Sequence, residues 1–300
     1  MTRPLPIRFL RFLEEVFDAD KELINFVQKA VGYSLTGVTV EQVLFILYGT
    51  GANGKSKFLT VLDNLLGDYG LTTPSSTFKD NPYHDGIPND IARMAGARFV
   101  KSIEVKEMAK LNEERIKALT GEDRSAARFL YKEWAEFTPM CKFWLAFNHK
   151  PIIRGTDEAI WRRIRLIPFE AYFPPEKRDR HLHEKLQSEL SGILAWAVEG
   201  CLKWQKEGLE PVQKVKEWTD SYRAESDLIV RFLEEKTLKM PSEKTTAGVL
   251  YKAYESWCHE QGEECVISGT EFGRRMAEKG ISKKKTDYVY YLGIKLVQNW

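Results

Sequence analysis

A glycine-rich segment at residues 49–56 constrains the fold of this chain more than any other feature. It reads GTGANGKS and matches the pattern G-x-x-x-x-G-K-[ST], in which backbone N–H groups close around phosphate oxygens. The apolar run 43–48 before it is typical of a buried strand, and apolar residues at helical spacing follow it over 58–66. Because such a loop joins a strand to a helix N-terminus, this order predicts an α/β fold with a nucleoside triphosphate site.

Each position of this loop has an expected role. Lys55 would reach the β- and γ-phosphates, and the Ser56 hydroxyl would hold Mg²⁺, so ATP and Mg²⁺ are the expected cofactors. The alternative is a glycine-rich turn that ends in Lys-Ser by chance, which the flanking strand and helix disfavour. The residues expected to contact the nucleotide are Gly49, Thr50, Gly51, Ala52, Asn53, Gly54, Lys55, Ser56 and Lys57.

The composition is that of an ordinary globular protein with room for two or three domains. Of 300 residues, 43% are hydrophobic and 29% are charged, and the formal net charge is +2. A surface for nucleic acid must therefore come from a local patch. The four cysteines form no C-x-x-C pair, which favours reduced thiols over a zinc site. No apolar run reaches membrane-spanning length, and the N-terminus lacks the features of a signal or transit peptide.

Apolar spacing divides the chain into four segments. We expect a helical collar, an ATPase domain, a linker or connecting helix, and a separate C-terminal domain, at residues 1–38, 39–208, 209–225 and 226–300 respectively. Helices are predicted over 7–34 with a break at 18–20, over 112–120 with Asn112 as N-cap, over 156–164 with Thr156 as N-cap, and over 176–208.

The C-terminal domain has the pattern of a winged-helix module, with helices followed by a terminal β-hairpin. The helices are predicted over 227–238, 247–261 and 269–280. A basic cluster could hold duplex DNA through phosphate contacts, or could be a solvated face balanced by Glu271 and Glu278. Its members are Arg274, Arg275, Lys279, Lys283, Lys284 and Lys285.

Polar residues end two predicted strands. Glu104 closes the strand 99–103, where a P-loop ATPase places the acid that holds Mg²⁺ and orients water, and Glu107 could share that role. Asn148 closes the strand 143–147, and its amide could contact the γ-phosphate. A solvated carboxylate and an asparagine in a buried turn are the structural alternatives.

Two further segments carry candidate residues. Residues 161–165 read WRRIR, and guanidinium groups match phosphate geometry, although an arginine run is more commonly a solvated face. Two β-like runs, 125–131 and 137–147, flank a charged connection at Lys132 and Glu133. This pattern predicts a β-hairpin whose second limb leads into the buried strand.

Together these motifs closely resemble the helicase part of phage and plasmid primase-helicases. This family belongs to the superfamily 3 helicases, with the poxvirus primase-helicase and, more distantly, polyomavirus large T antigen as relatives. The resemblance is strong over about residues 5–175 and looser over 226–300. The motifs that carry it are GANGKS at 51–56, LNE at 111–113, LTGED at 119–123, ARF at 127–129, FTP at 137–139, NHKP at 148–151 and RGTDEAIWRRI at 154–164.

The resemblance implies roles for individual residues. Lys55 and Ser56 belong to the Walker A motif, Glu104 to Walker B with its acidic partner displaced to Glu107, and Asn148 to sensor 1. The hairpin is similar to one that projects into the ring channel of this superfamily. The implied arginine finger is Arg163 or Arg162, and the implied DNA contacts are Lys132, Tyr131 and Arg128.

The family further implies an AAA+ type P-loop ATPase that unwinds DNA during replication of a phage, plasmid or mobile element. It would form a homo-hexameric ring on single-stranded and forked DNA, move 3′ to 5′, work with a primase domain or polymerase, and lie in the cytoplasm of a bacterium or phage-infected cell. The segment before the P-loop is too short for a primase, so we expect a primase-less version or a C-terminal piece. The alternatives are an initiator or loader that uses ATP as an assembly switch, and a small-molecule kinase.

Overall fold

The computed structural model divides the chain into two compact units, residues 1–222 and 223–300. The residues that it describes are 5–80, 89–103, 110–121, 125–128, 134–155, 157–262 and 266–297. None of the helices among these residues is long and apolar enough to cross a membrane.

A five-stranded parallel sheet forms the centre of the first unit. Its order is β2-β3-β6-β1-β7, with β1 at Leu44–Tyr48, β2 at Gly70–Thr72, β3 at Phe99–Ile103, β6 at Lys142–Phe147 and β7 at Ile164–Pro168. Strands β4 (Ser125–Arg128) and β5 (Trp134–Phe137) form a separate antiparallel ladder. Because all neighbours in the large sheet are parallel, their carboxyl ends meet at one edge.

Nine helices are described in or extending from this unit. They are α1 (Ile7–Val16), α2 (Lys21–Ser34), α3 (Lys55–Leu66), α4 (Asn89–Ala92), α5 (Glu113–Thr120), α6 (Glu158–Trp161), α7 (Leu182–Gln187), α8 (Leu190–Glu207) and α9 (Gln213–Ser226). The expected N-cap Asn112 is confirmed, because its side chain accepts a 2.8 Å hydrogen bond from the Arg115 backbone N–H. Helix α9 occupies most of the expected linker or connecting helix.

Strand β1 is buried on both faces and so separates two hydrophobic cores. Since successive side chains of a strand alternate, Phe45 and Leu47 join the core that contains α1, α2, α3 and α8. Leu44 and Ile46 join the core on the other face of the sheet. An unbroken apolar run is therefore the correct pattern for this central strand.

Three expectations for the first unit are corrected by the structure. The second limb of the hairpin is β5, which ends where the predicted run 137–147 begins, and it leads into the buried strand β6 as expected. The predicted helix 156–164 shrinks to α6, with Asp157 in place of Thr156 as N-cap, because Ile164 starts β7 and is buried beside β1. The predicted helix 176–208 is two helices, and the break lets Glu189 accept hydrogen bonds from the first backbone N–H groups of α1.

The second unit has the element order helix, strand, two helices and hairpin. Its elements are α10 (Leu228–Lys236), β8 (Thr237–Thr246), α11 (Ala247–Glu260), α12 (Gly269–Glu278), β9 (Lys283–Lys285) and β10 (Val289–Leu296), and the antiparallel sheet has the order β8-β10-β9. The predicted helix 227–238 ends early because β8 pairs with β10 from residue 237 onward. A register shift at Gly293, whose φ is +74°, bends β10.

Helices α2 and α8 cross at direct backbone contact. A Cβ atom added to Gly32 would lie 2.1 Å from the Cys201 backbone nitrogen, and one added to Gly200 would lie 2.1 Å from the Gln28 carbonyl oxygen. The Gln28 amide also donates a 2.9 Å hydrogen bond to the Trp196 carbonyl on α8. Glycine is therefore required at both positions of this crossing, which supports the core on one face of the sheet.

We predict that Gly32→Ala or Gly200→Ala lowers the free energy of unfolding by about 3 kcal/mol or prevents folding, because the added methyl meets backbone. Gly248→Ala on α11 is the matched control, since its added Cβ would meet nothing within 4 Å. Equilibrium urea unfolding of the full chain measures both effects. Wild-type stability of the Gly32 and Gly200 variants would contradict the close crossing.

Candidate functional site

The P-loop follows β1 at the carboxyl edge of the sheet and leads into α3. Gly49 is required because an added Cβ would lie 2.3 Å from the Phe169 carbonyl oxygen and 2.3 Å from the Asn53 amide nitrogen. Gly54 has φ +91° and packs against α1, where an added Cβ would lie 2.8 Å from the Val16 side chain. The two glycines thus hold the loop between the end of β7 and helix α1.

Lys55 lies buried inside this loop. Its ammonium donates hydrogen bonds to the Gly49 carbonyl and, at 3.1 Å, to the Asn53 side-chain oxygen. The Asn53 amide in turn donates a 3.1 Å hydrogen bond to the Phe169 carbonyl, which fixes the side chain. Burial lowers the pKa of Lys55 to about 8, and no carboxylate in the described part of the chain pairs with it. A buried cation at a helix N-terminus, with only neutral acceptors, favours an anionic ligand.

The other P-loop residues take positions that suit such a ligand. Thr50, Ser56 and Lys57 are exposed, whereas Asn53 is buried. The Ser56 hydroxyl is an oxygen ligand of the kind that Mg²⁺ prefers, and it lies in the first turn of α3 beside Lys55. The structure describes no cluster of three or more His, Cys, Asp or Glu side chains that could hold a metal ion by themselves.

The strand order brings Asn148 next to the P-loop. Strand β6 lies between β1 and β3, and the carbonyl of its last residue, Phe147, accepts a 3.4 Å hydrogen bond from the Gly49 N–H. Asn148 follows immediately and is exposed. Glu104 would follow the end of β3 at the same edge, but Glu104 and Glu107 lie outside the described residues.

The expected DNA-contacting residues are only partly described. Arg128 ends strand β4, of which the structure gives the backbone, and Tyr131 and Lys132 lie outside the described residues. In the sequence, both residues lie between the paired strands β4 and β5.

The two candidate arginines lie at the opposite edge of the sheet. They precede Ile164, which pairs with Leu44 at the start of β1, whereas the P-loop follows the end of that strand. The five residue steps from Leu44 to Gly49, at about 3.3 Å each, place the backbone of both arginines at least about 16 Å from the P-loop of their own chain.

The surroundings of Arg162 and Arg163 differ. The Arg163 guanidinium is buried and donates to the Thr120 hydroxyl at 3.1 Å, the Ala159 carbonyl at 2.5 Å and the Gln42 side chain at 3.4 Å. Arg162 is exposed and donates to the Gln42 side chain at 2.9 Å. Arg163 therefore holds α6 against its neighbours, and Arg162 is the arginine that faces solvent.

A cavity of about 570 Å³ lies beside the P-loop, between α1 and the segment 173–185. The Phe173 N–H donates a 2.8 Å hydrogen bond to the Ala52 carbonyl, which ties this segment to the loop. Two pairs of lining charges compensate one another, Arg11 with Glu15 at 2.9 Å and Lys185 with Asp179 at 2.6 Å. Four lining cations have no carboxylate partner among the residues described: Arg8, Lys57, Lys177 and Arg178.

Sequence reasoning missed this cavity. Its cations come from three segments that are far apart in the chain, and no motif connects them. A high density of basic residues at 177–185, just after the last strand, is the one signal that the sequence contains.

Two family models match separate parts of the chain. Residues 47–163 match DUF5906, described as a family of unknown function, and residues 224–293 match the poxvirus D5 protein-like family. The first match contains the P-loop, Asn148 and both candidate arginines. The second match coincides closely with the second structural unit.

The chain is also similar to curated proteins of large DNA viruses. It is 29% identical over 270 residues to "Putative helicase 022R" of Frog virus 3, with 83% of this chain and 28% of that protein covered. It is 29% identical to "Putative helicase L207/L206" of Acanthamoeba polyphaga mimivirus, with coverages of 82% and 28%. Against "Putative primase C962R" of African swine fever virus, strain Badajoz, the identity is 27%, with coverages of 72% and 25%. The chain thus spans little more than a quarter of the length of these relatives.

Solved structures share the fold. The apo C-terminal region of NrS-1, residues 305–718, matches with a TM-score of 0.60 at 13% identity, and the match covers 98% of this chain and 77% of that one. Another apo form of the C-terminal region matches with a TM-score of 0.56 at 14% identity, with coverages of 74% and 52%. At this identity the match concerns the fold alone.

We predict that Arg163→Ala destabilises the chain by about 2 kcal/mol, because it leaves buried acceptors without their donor. Arg162→Ala, the matched control on the neighbouring exposed position, should change stability by less than about 0.5 kcal/mol. Urea unfolding measures both values. Equal destabilisation by the two variants would contradict the different environments of these arginines.

Proposed function

We propose that this chain is the ATP-hydrolysing, DNA-translocating part of a replicative helicase with an AAA+ type ATPase fold. The observation that carries the proposal is the arrangement at the carboxyl edge of the sheet. There the buried Lys55 lies inside the P-loop, and Asn148 follows β6, which is inserted between β1 and the strand that leads to Glu104. The similarity to viral proteins named as helicases and primases supports the choice of reaction.

The nucleotide chemistry follows from the residues at this edge. Lys55 and the α3 N-terminus bind the β- and γ-phosphates, and Ser56 holds Mg²⁺ together with Glu104. The metal ion neutralises charge on the phosphates when it is bound. Glu104, or Glu107 in its place, orients the attacking water, and Asn148 contacts the γ-phosphate.

The nucleoside end of ATP lies in the basic cavity. The P-loop residues Gly54 and Lys57 line both the phosphate side and the cavity, so a nucleotide bound by its phosphates can extend into it. Phe12 and Phe173 offer apolar surface for the base, and Arg8 and Lys177 offer hydrogen-bond donors for the ribose hydroxyl groups.

The position of the arginines supports a site shared between subunits. An arginine whose backbone lies at least about 16 Å away along β1 cannot reach the γ-phosphate of its own chain, so it would act on ATP held by a neighbour in a ring. Exposed Arg162 is better placed to reach across than Arg163, whose guanidinium is already occupied. We propose a homo-hexameric ring that moves 3′ to 5′ and contacts the strand through Lys132, Tyr131 and Arg128 of the hairpin.

A second candidate function is that of an initiator or loader, which binds DNA and uses ATP as an assembly switch. The second unit favours it specifically, because a compact module at the C-terminus could recognise duplex DNA without any unwinding. Both functions fit a partnership with a primase domain or a polymerase. A strand-displacement assay distinguishes the helicase from the initiator or loader.

We predict that the chain displaces a strand from a forked duplex with ATP, but not with a non-hydrolysable analogue. Lys55→Ala should abolish both hydrolysis and displacement, because the phosphates lose their cationic partner in the transition state. Lys206→Ala, at an exposed position of α8, is the control and should retain hydrolysis. Nucleotide-dependent DNA binding without displacement would identify the loader instead.

We predict that Arg8→Ala combined with Lys177→Ala weakens ATP binding about tenfold and leaves tripolyphosphate binding unchanged, because only the nucleoside end enters the cavity. The control removes two exposed charges elsewhere, by Lys206→Ala with Lys216→Ala. Calorimetric titration of both ligands provides the measurement. Equal losses for ATP and tripolyphosphate would place the phosphates, not the nucleoside, in the cavity.

A further inference from the structure

The basic residues of helix α12 are compensated by acids. Arg274 pairs with Glu271 at 2.6 Å and also with Glu278, and Arg275 pairs with Glu271 at 2.7 Å. The hydrogen bonds from these two arginines lower the pKa of Glu271 to about 2, so its negative charge persists at neutral pH. Lys279 pairs with Asp227. The helix therefore offers little free positive charge to a ligand.

The sheet of the same unit carries two lysines on the same side as Tyr290. Lys284 on β9 lies directly opposite Tyr290 on β10, and the Lys244 ammonium on β8 lies 4.5 Å from the centre of the Tyr290 ring. Cross-strand partners and alternate residues of a strand share a face, so Lys244, Lys284 and Tyr290 lie on one side of the sheet. We refer to these three residues as the lysine face.

The charges of the lysine face are not balanced within the described part of the unit. Neither Lys244 nor Lys284 forms an ion pair there, and both are exposed, as is the adjoining Lys285. The nearby acids are engaged or lie off the face: Glu243 pairs with Lys295 at 3.4 Å, and Asp287 lies in the β9–β10 turn. The face thus carries two positive charges and no balancing acid among the described residues, an arrangement that a bound anion would stabilise.

Lysines on edge strands also discourage sheets from pairing with one another, and β8 and β9 are both edges. That role requires charge on each edge but does not require both lysines to be on the Tyr290 side. Here, Lys284 is in register with Tyr290 and Lys244 lies over its ring, so the two charges share one side of the sheet. This arrangement suits a polyanion that lies across the sheet.

We propose that the lysine face binds the phosphate backbone of duplex DNA, and that helix α12 does not. This inference rests on the proposed function in that it takes the chain to act on DNA. A single strand is normally held by bases stacked on exposed aromatic rings, but the Tyr290 ring is already covered by the Lys244 ammonium. Phosphate contacts are therefore the interaction that this face can make, and these contacts suit a duplex.

The test compares two variants of the full chain that each lose two positive charges from the second unit. One carries Lys244→Ala and Lys284→Ala on the lysine face, and the control carries Lys252→Ala on α11 and Arg274→Ala on α12. Binding to a short blunt duplex is measured by fluorescence anisotropy between about 50 and 200 mM salt. The lysine-face variant should bind about tenfold more weakly at low salt, and its log–log salt slope should fall by about 2. The control should match the wild type.

Each other outcome overturns the inference in a different way. A loss in the control alone assigns the contact to helices α11 and α12, and a loss confined to single-stranded DNA assigns the face to that ligand. Aggregation of the lysine-face variant in light scattering identifies edge protection as its role. Absence of duplex binding by the wild type, with ATP hydrolysis intact, refutes this inference alone. Absence of both hydrolysis and DNA binding refutes the proposed function itself.

Discussion

The parallel pairing of β1 with β6 on one side and β7 on the other is the interaction on which the first unit depends. It places the P-loop, Asn148 and the Phe169 carbonyl at one edge, where a single ligand could touch all three. The same pairing carries the two arginines to the opposite edge, because β7 runs in the same direction as β1. The same backbone hydrogen bonds therefore place the P-loop and Asn148 together and keep the two arginines of the same chain away from them.

The P-loop itself is held by contacts from outside the motif. Helix α1 packs against Gly54, the end of β7 accepts the Asn53 amide, and the segment after β7 is tied to Ala52. These contacts keep a non-glycine residue, Ala52, at a positive φ of +50° and keep the Lys55 ammonium away from solvent. Both features are unfavourable in isolation, so the stability of the surrounding packing, including the α2–α8 crossing, maintains the loop in a shape that suits a ligand.

The sequence predicted the features that depend on local pattern. The strand–loop–helix order around residues 49–56, the buried strands β1, β3 and β6, and the N-cap at Asn112 all follow from spacing and composition within a few residues. It missed β2 and β8, which are edge strands formed through pairing with distant partners, and it extended a helix through Ile164, which instead joins the sheet. It placed Arg274 and Lys284 in one basic cluster. In the fold, Arg274 pairs with acids, whereas Lys284 is exposed. The cavity beside the P-loop could not be predicted, because its walls meet only in the folded chain.

The separation between the P-loop and the arginines has a consequence for when ATP would be hydrolysed in a cell. On the proposed function, an isolated chain holds ATP in a site that lacks the group needed for rapid cleavage, since β1 keeps that group at the far edge. Hydrolysis then rises with protein concentration and with anything that gathers subunits, such as a DNA strand through the ring. Newly synthesised or dissociated chains would hold ATP without hydrolysing it rapidly. Rapid hydrolysis would begin only in an assembled ring.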